Sequence, residues 1–419
     1  LRIAYLGDFP YLIDNDEGRL GNWALRLWGQ DEFPDLFNFG WNSFPHLAYT
    51  VQYAMVPFVG ESYISLRLSS ALIGILSLVP FVFWARRWWG RTAAVLGALF
   101  LAINHEHLFW SRIGLNNIHS AAVAGLILAT FARALGHGRL LDYVLFGYAT
   151  ALGFHTYHAS KSYGVLLALP ALFLALTTPG LFKRHIRGAI LALFAFALVV
   201  APMLPNVYAR FTEFRTDVTN RSDVHQLVDA YRAGDSVRVR NHLTTHVGDS
   251  FRVFFDVPRN LTIFGPFLAV PFALGVAWML CHWRDPRHLF ALAWLFGLLI
   301  LGSMLTDWPP SRARLVGLLP VACVIPAALL ARIFALVRQA LPRAATVVAL
   351  LVVLPLAGGE ALDTIHRQFV VLPAIQHADI ESFMCRTIRR QQEQATVYAV
   401  GSEPGSNPLN ALIHCVTAV

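Results

Sequence analysis

The chain has 419 residues, of which 56% are hydrophobic and 14% are charged. A soluble globular protein usually carries about 25% charged residues, so the composition excludes an ordinary soluble enzyme and indicates a membrane protein. The formal net charge of +8 does not indicate a nucleic-acid partner, because no basic stripe with interleaved aromatic residues is present.

The first 62 residues contain no apolar run long enough to span a membrane. The chain opens on Leu1 rather than Met, with a short apolar stub, so we expect it to be truncated at its N-terminus. Apolar residues then recur at helical spacing in two stretches, Leu20, Trp23, Ala24, Leu27 and Trp28, and a second set that begins after Pro45. We predict two helices in the membrane interface within an extracytoplasmic first loop, residues 1–62. Packing on a soluble domain is the alternative.

A transmembrane bundle is predicted over residues 63–360. Its apolar runs of about 17–25 residues are long enough to cross the hydrocarbon core as helices. About ten spans are predicted near 64–85, 92–108, 115–135, 141–157, 162–178, 187–205, 262–282, 288–306, 313–337 and 343–360. An even number of spans places both ends of the chain on the same side of the membrane.

Lysine and arginine cluster at every second gap between these runs. The cationic gaps contain Arg86, Arg87 and Arg91; Arg133 and Arg139; Lys183, Arg184 and Arg187; Arg284 and Arg287; and Arg332, Arg338 and Arg343. By the positive-inside rule these gaps face the cytoplasm. The intervening gaps are therefore predicted to be extracytoplasmic. The arginine- and alanine-rich, lysine-poor composition predicts a bacterial plasma (inner) membrane protein.

Two polar segments interrupt or follow the bundle. The extracytoplasmic loop 206–261 is long enough to cap a cavity, and its stretches 223–232 and 237–255 are interpreted as helices. After residue 361 the chain becomes soluble in character, with a predicted helix over 379–391 and a predicted strand over 396–400. We expect residues 361–419 to form a small, incomplete extracytoplasmic α/β segment.

Isolated ionisable residues in the extracytoplasmic gaps are the candidates for chemistry. The first group is Asp14, Asp16 and Glu17, at the predicted start of a helix. Acidic residues suit a helix N-terminus, and that explanation is sufficient for Asp14. For Asp16 and Glu17 a second role is open, because a carboxylate at the membrane face can take a proton from an attacking hydroxyl.

The second group is His105, Glu106 and His107, followed by Arg112. Charged side chains this close to hydrocarbon are costly and tend to be functional. Glu106 could instead form a structural ion pair with Arg112. The two histidines could bind a metal with Asp16 and Glu106, but the spacing is not HExxH, and surface histidines are the competing interpretation.

The third and fourth groups are cationic. His155, His158 and Lys161 follow a predicted span, where snorkelling to the interface is the alternative for the lysine. Arg312 and Arg314 break the charge rule that the rest of the chain obeys. An arginine side chain fits phosphate oxygens with two hydrogen bonds, whereas an ion pair with Asp307 is the competing account. No GxxxxGK[ST] loop is present to support ATP-driven transport.

The order of these motifs resembles the GT-C fold, polyprenyl-phosphate-sugar-dependent glycosyltransferases of family 39, over roughly residues 8–340. That group includes protein O-mannosyltransferases and aminoarabinose transferases of lipid A. The matching sequence stretches are Asp16-Glu17-Gly18-Arg19, Arg67-Leu68-Ser69-Ser70-Ala71-Leu72, Arg86-Arg87-Trp88-Trp89-Gly90, residues 107–117, Lys161 and residues 312–320.

The resemblance implies an all-α GT-C-like helical bundle and an inverting sugar transfer. It implies that Asp16 is the general base, with Glu17 as its neighbour in the pair. Arg314, Arg312 and Lys161 match cations near the donor phosphate. The residues implied to support the site or to face the acceptor are Glu106, His107, Arg112, Asn117 and His158.

The implied partners are a sugar donor on a polyprenyl phosphate, a protein, lipid or glycan acceptor with a hydroxyl group, and membrane lipids, with no nucleic acid. No cofactor is identified, and a divalent metal ion is left open, with Glu106 and His107 as candidate ligands. Two departures concern the acceptor: Ser43-Phe44-Pro45-His46 stands where the family often has Lys-Pro-Pro, and Asn117 replaces an aspartate. A transporter or flippase of lipid-linked sugars is the alternative function, and a non-catalytic scaffold subunit is a further one.

Overall fold

The computed structural model describes residues 1–10, 15–29, 32–212, 224–255, 262–306 and 309–373. These residues form helices joined by turns, and no β-strand occurs among them. The predicted all-α polytopic architecture is therefore confirmed for the described part of the chain.

The N-terminal region contains two of the predicted helices. Its elements are α1 (Asn15–Trp28), a 3₁₀ turn (Trp41–Ser43), α2 (His46–Tyr53) and α3 (Val56–Val59). The apolar stripe of α1 is buried, and Leu20, Ala24 and Leu27 pack in a cluster that includes Ile113 and Tyr157. The stripe thus packs on loops of the same protein, while the position of α1 in the membrane interface stays a prediction.

The next helical stretch crosses the bundle twice. Helices α4 (Tyr63–Leu76) and α5 (Leu78–Ile103) together form a segment of 41 residues. At 1.5 Å per residue this is about 60 Å, twice the hydrocarbon thickness. Gly90 breaks α5 with a φ of 88°, a conformation that favours glycine. The chain reverses direction at this break. His107, which follows α5, is therefore close enough to form a hydrogen bond with Ser77, which precedes α5.

The remaining described helices follow in chain order. They are α6 (His105–Trp110), α7 (Asn117–His137), α8 (Leu140–Phe154), α9 (Tyr163–Thr177), α10 (Leu181–Val200), α11 (Leu204–Ala209), α12 (Val224–Arg232), α13 (Ser236–Phe255), α14 (Pro266–Cys281), α15 (Pro286–Leu299), α16 (Leu319–Ala340) and α17 (Ala345–His366).

Seven helical segments of the described chain are long and apolar enough to cross a membrane. They are Tyr63–Ile103, Asn117–His137, His158–Thr177, Leu181–Ala209, Pro286–Met304, Arg312–Ala340 and Ala345–Val371. The break at Gly90 divides the first into two spans, and α8 and α14 are shorter apolar helices. With these additions the helices correspond to the ten predicted runs, and the chain is a multi-pass membrane protein.

The predicted helices in the long polar loop are confirmed by α12 and α13. Helix α13 packs on the bundle, where Ser250 Oγ lies 2.7 Å from Ser303 Oγ and His246 Nδ1 lies 3.1 Å from the carbonyl oxygen of Met304. The predicted helix 379–391 and strand 396–400 lie outside the described residues. The same holds for Asp14 and Asp307.

Contacts between turns gather the cationic gaps at one end of the bundle. Arg287 donates a hydrogen bond of 2.7 Å to the carbonyl oxygen of Trp88, which joins the turn at Gly90 to the turn between α14 and α15. Arg87 donates to the carbonyl oxygen of Ala132 at 3.0 Å. We call this the cationic end of the bundle. The candidate residues for chemistry lie at the opposite end.

Candidate functional site

A buried ion pair fixes the start of α1. The two guanidinium nitrogens of Arg67 donate to the two carboxylate oxygens of Glu17 at 2.7 and 2.9 Å. The backbone N–H of Gly114 also donates to Glu17, at 2.7 Å. Both side chains of the ion pair are essentially inaccessible to solvent. Glu17 therefore connects α1 to α4 and to the loop that follows α6.

The two members of the acidic pair have different environments. Glu17 is buried, whereas Asp16 in the first turn of α1 is exposed. Backbone N–H groups at a helix N-terminus favour a negative charge. The anchored Glu17 thus holds the exposed Asp16 carboxylate beside the loops of this end.

Arg112 organises the segment that precedes α1. Its guanidinium donates to the backbone carbonyl oxygens of Leu1, Ala4, Tyr5 and Phe9, at 2.8 Å for Ala4 and 2.7 Å for Phe9. Burial, together with the Arg67 cation, lowers the pKa of Arg112 to about 10, so the side chain stays charged. The ion pair of Glu106 with Arg112, which the sequence offered as an alternative, does not form, because Arg112 donates to these carbonyl oxygens.

Glu106 pairs with Arg312 instead. One carboxylate oxygen accepts a hydrogen bond from the Arg312 guanidinium, and the other accepts from the indole N–H of Trp110 at 3.2 Å. The side chain of Glu106 is 3% exposed and that of Arg312 is 18% exposed. Arg312 also lies over the ring of Phe109, 5.5 Å from its centroid. The ion pair joins α6 to the turn before α16 across 206 residues of sequence.

His107 is a structural residue in this arrangement. Its Nδ1 lies 2.7 Å from the Arg2 guanidinium and its Nε2 lies 3.0 Å from Ser77 Oγ. Since arginine only donates, Nδ1 is the acceptor and Nε2 carries the proton. Burial, followed by the Arg2 charge, lowers the pKa of His107 well below its ordinary value. The imidazole is therefore neutral, and both of its nitrogens are engaged.

These contacts bear on the metal site that the sequence left open. Both ring nitrogens of His107 are engaged by Arg2 and Ser77, and the Glu106 carboxylate is held by Arg312 and Trp110. Among residues 1–10, 15–29, 32–212, 224–255, 262–306 and 309–373, no three His, Cys, Asp or Glu side chains are grouped to hold a metal ion. The two candidate ligands are thus already held by neighbouring residues.

The turn that follows α8 meets the turn that precedes α2. His158 Nε2 lies 2.8 Å from the carbonyl oxygen of Asn42, and the rings of His158 and Phe44 are 4.7 Å apart. Lys161 Nζ lies 3.5 Å from His158 Nδ1. Asn42 and Ser43 both have φ values near 55°, at 58° and 54°, a strained backbone for residues other than glycine.

Arg314 lies in the 3₁₀ turn that precedes α16, Arg312–Leu318. This turn is connected to α7, since Asn117 Nδ2 lies 3.5 Å from the carbonyl oxygen of Ala313. Arg314 and Lys161 are both half-buried. A narrow crevice beside the same 3₁₀ turn is lined by Glu106, Arg312 and Val253 of α13.

The structure brings together four segments that are distant in the sequence. They are the start of α1, the loop around α6, the turn after α8 and the turn before α16. The sequence analysis assigned no role to Arg67, Asn42, Ser77 or Arg2, which hold these segments in place. Only Arg67 carried a usable signal, because an arginine within an apolar span requires a partner.

Comparison with known proteins identifies the fold. Residues 45–208 match the family model described as dolichyl-phosphate-mannose-protein mannosyltransferase. The fold is similar to that of ArnT from Cupriavidus metallidurans bound to undecaprenyl phosphate. The TM-score is 0.64 at 16% sequence identity, over 97% of this chain and 81% of that one. A search of curated proteins returns no match.

The archaeal oligosaccharyltransferase of Archaeoglobus fulgidus is also similar. Its structure tethered to an acceptor peptide with the NVT sequon gives a TM-score of 0.58 at 14% identity, over 96% of this chain and 59% of that one. Its complex with Zn and sulfate gives 0.54 at 17% identity, over 95% and 54%. The chain thus spans more than half of that enzyme, and the resemblance to GT-C proteins is confirmed at the level of the fold.

Proposed function

We propose that this chain, a multi-pass membrane protein with the GT-C fold, is an inverting glycosyltransferase. It moves a sugar from a polyprenyl-phosphate donor to a hydroxyl group of a protein, lipid or glycan. The reaction takes place at the end of the bundle opposite to the cationic end, which the positive-inside rule makes the extracytoplasmic face.

The observation that supports this proposal most directly is the difference in environment between Glu17 and Asp16. Glu17 is locked by Arg67 and by the backbone of Gly114, whereas its neighbour Asp16 is exposed at the N-terminus of α1. A rigidly supported carboxylate beside the membrane is the arrangement that a general base requires. We therefore assign proton transfer to Asp16 and a positioning role to Glu17.

The donor phosphate is assigned to the cations of the two turns that face α6. Glu106 neutralises Arg312, so Arg312 positions the turn more than it adds charge. Arg314 and Lys161, both half-buried, stabilise the phosphate. Fixed cations at the point where charge develops lower the barrier to departure of the leaving group.

Every bond and proton in the proposed reaction is accounted for by the donor, the acceptor hydroxyl and Asp16. The acceptor oxygen forms a bond to the anomeric carbon as the bond from that carbon to the phosphate oxygen breaks. The hydroxyl proton goes to the Asp16 carboxylate, and polyprenyl phosphate leaves with the bonding electron pair. Attack from the face opposite to the leaving group inverts the anomeric configuration.

The fold comparisons support this assignment of substrates. ArnT was solved with undecaprenyl phosphate, and the archaeal oligosaccharyltransferase was solved with an inhibitory peptide and a dolichol phosphate. The family description contains dolichyl-phosphate-mannose, which makes mannose the first donor sugar to test. Aminoarabinose is the second, because the motifs also resemble those of the aminoarabinose transferases of lipid A. A bacterial inner membrane is the proposed location.

Transport of the lipid-linked sugar is the competing function. A transporter is expected to hold its substrate near the middle of the membrane, between broken helices. Here the ion pairs of Glu17, Glu106 and Asp363 all lie near helix ends, at the end of the bundle opposite to the cationic end. This distribution favours a reaction at one membrane face.

The test is a transfer assay with the purified protein in lipid nanodiscs. Radiolabelled mannosyl and aminoarabinosyl polyprenyl phosphates are incubated with the protein and with cell-envelope fractions as acceptors. We expect release of polyprenyl phosphate and transfer of the label to an acceptor. In vesicles, movement of intact donor across the bilayer without cleavage of the sugar–phosphate bond would establish transport instead.

A further inference from the structure

A large cavity opens at the cationic end of the bundle, at the end opposite to the proposed reaction site. Its volume is about 860 Å³, and α5, α7 and the start of α15 line it. The lining includes four arginines, Arg86, Arg87, Arg133 and Arg287. Binding sites for small ligands usually have volumes of about 300–1,000 Å³, so the cavity has room for a lipid headgroup.

The positive charge of this cavity is only partly neutralised. Asp142 accepts from Arg133, with the closest atoms 2.7 Å apart, and it also lies 3.3 Å from His137 Nδ1. Asp285 pairs with Arg287. These two carboxylates leave Arg86 and Arg87 without an acidic partner among the described residues.

Arg87 is held in place by the helix that it faces. It donates a hydrogen bond of 3.0 Å to the carbonyl oxygen of Ala132. Its guanidinium also lies against the Cα of Gly136, where the methyl group of an alanine would collide with it. A glycine at this position therefore lets the cation lie flat on α7. Such fixed guanidinium groups suit the oxygens of a phosphate.

The apolar residues of the cavity lie on the membrane side of the cations. Phe83 is 66% exposed and precedes Arg86 and Arg87 by three and four residues, so all three side chains share one face of the helix. Trp88 and Phe290 form the wall, with ring centroids 6.0 Å apart. The surface thus has cations at the end of the helix and an aromatic ring one turn deeper in the membrane, the order of headgroup and acyl chain in a phospholipid.

We propose that this cavity binds an anionic phospholipid of the leaflet at the cationic end. Its phosphate lies between Arg86, Arg87 and Arg133, and its acyl chain lies along Phe83 and Leu135. Basic pockets between transmembrane helices on the cytoplasmic side recognise anionic headgroups by this chemistry. The site is independent of sugar transfer, and its test measures binding alone.

The experiment is a titration of delipidated protein in detergent, followed by native mass spectrometry. The probes are dioctanoyl phosphatidylglycerol, dioctanoyl phosphatidylcholine and inorganic phosphate. We expect phosphatidylglycerol to bind most tightly and inorganic phosphate to bind weakly, because phosphate alone lacks the acyl contacts. The double variant Arg86→Gln/Arg87→Gln should weaken phosphatidylglycerol binding by about 30-fold.

The matched control is Lys183→Gln/Arg184→Gln, which removes two exposed cations from the same end but outside the cavity. Because Arg87 also bonds to α7, the single variant Arg86→Gln serves as the second test if the double variant does not fold. An equal loss in the control and cavity variants, or equal binding of phosphatidylcholine, would overturn the proposal. Equal binding of inorganic phosphate would show a simple anion site and would also overturn it.

Discussion

Glu17 and Arg67 form a two-point ion pair that is almost completely inaccessible to solvent, although they are 50 residues apart in the chain. Arg67 also donates to the carbonyl oxygens of Leu6 and Pro10 at 3.0 Å. Removing one partner of a buried pair leaves an uncompensated charge, which costs more than the pair contributes. The pair therefore determines where α1, and with it Asp16, is held.

The first prediction is a loss of stability on Glu17→Gln. Without the carboxylate, the Arg67 cation stays buried with only carbonyl and amide partners. We expect destabilisation of about 3–5 kcal/mol, measured by denaturant unfolding in detergent. Asp16→Asn, at an exposed position next to it, is the control and should change stability by less than about 0.5 kcal/mol. Equal stabilities of the Glu17→Gln variant and the unmodified protein would refute the anchoring role.

The second prediction concerns energetic coupling between Glu106 and Arg312. Their ion pair joins α6 to the turn before α16, and Trp110 donates to the same carboxylate. In a double-mutant cycle of Glu106→Gln and Arg312→Gln, we expect a coupling of about 0.5–3 kcal/mol in unfolding free energy. Additive effects of the two substitutions would show that the ion pair does not join the segments.

The third prediction is a dependence of stability on pH that comes from His107. Burial and the Arg2 charge lower its pKa in the folded protein, while the unfolded chain has the ordinary value of about 6.5. The unfolded state therefore binds more protons as the pH falls below about 6.5, so acid destabilises the fold. Above this value the contribution is fully present and constant.

His107→Gln should flatten this pH dependence, because glutamine does not titrate. The measurement is the melting temperature from about pH 7.5 down to about pH 5, on either side of the ordinary histidine pKa. His105, whose pKa is also lowered by burial, continues to contribute, so the slope decreases without vanishing. His282→Gln, at the cationic end, is the control. A slope unchanged by His107→Gln would contradict the assignment of a neutral imidazole.

The fourth prediction separates the charge of Arg314 from its geometry. If Arg314 holds the donor phosphate, Arg314→Ala should lower kcat/KM for the lipid-linked sugar by about 10- to 100-fold, the effect of losing one charged hydrogen bond. Arg314→Lys should recover part of the loss, because it keeps the charge but not the forked donor geometry. Arg338→Ala, an exposed arginine at the other end, should have no effect. Unchanged donor kinetics for Arg314→Ala would exclude a phosphate role.

The transmembrane architecture was predictable from local pattern. Apolar length located the helices, and the reversal at Gly90 lies in the cationic gap that was predicted between the first two spans. The helices of the long polar loop were also predicted from periodicity. These features depend on neighbours within one or two helical turns, and a sequence contains such information directly.

The contacts between distant residues in the candidate site were not predictable in the same way. The only partner that the sequence suggested for Glu106 in an ion pair was nearby Arg112, but Glu106 pairs with Arg312 across 206 residues. Asn42 contributes only a backbone carbonyl to His158, and the sequence does not record which backbone atoms a side chain will meet. The apolar stripe of α1 was predictable, but not that it would pack in a cluster with Ile113 and Leu115. Periodicity identifies an apolar face but not what covers it.

The most direct test of the proposed reaction is the turnover of Asp16→Asn with a purified polyprenyl-phosphate sugar that the unmodified protein uses. Asparagine keeps the shape of the side chain and removes the base, so the rate should fall by about 10²- to 10⁴-fold, with donor binding retained. Asp229→Asn, an exposed carboxylate on α12, should turn over normally. Near-normal turnover of Asp16→Asn would contradict the assignment of Asp16 as the general base.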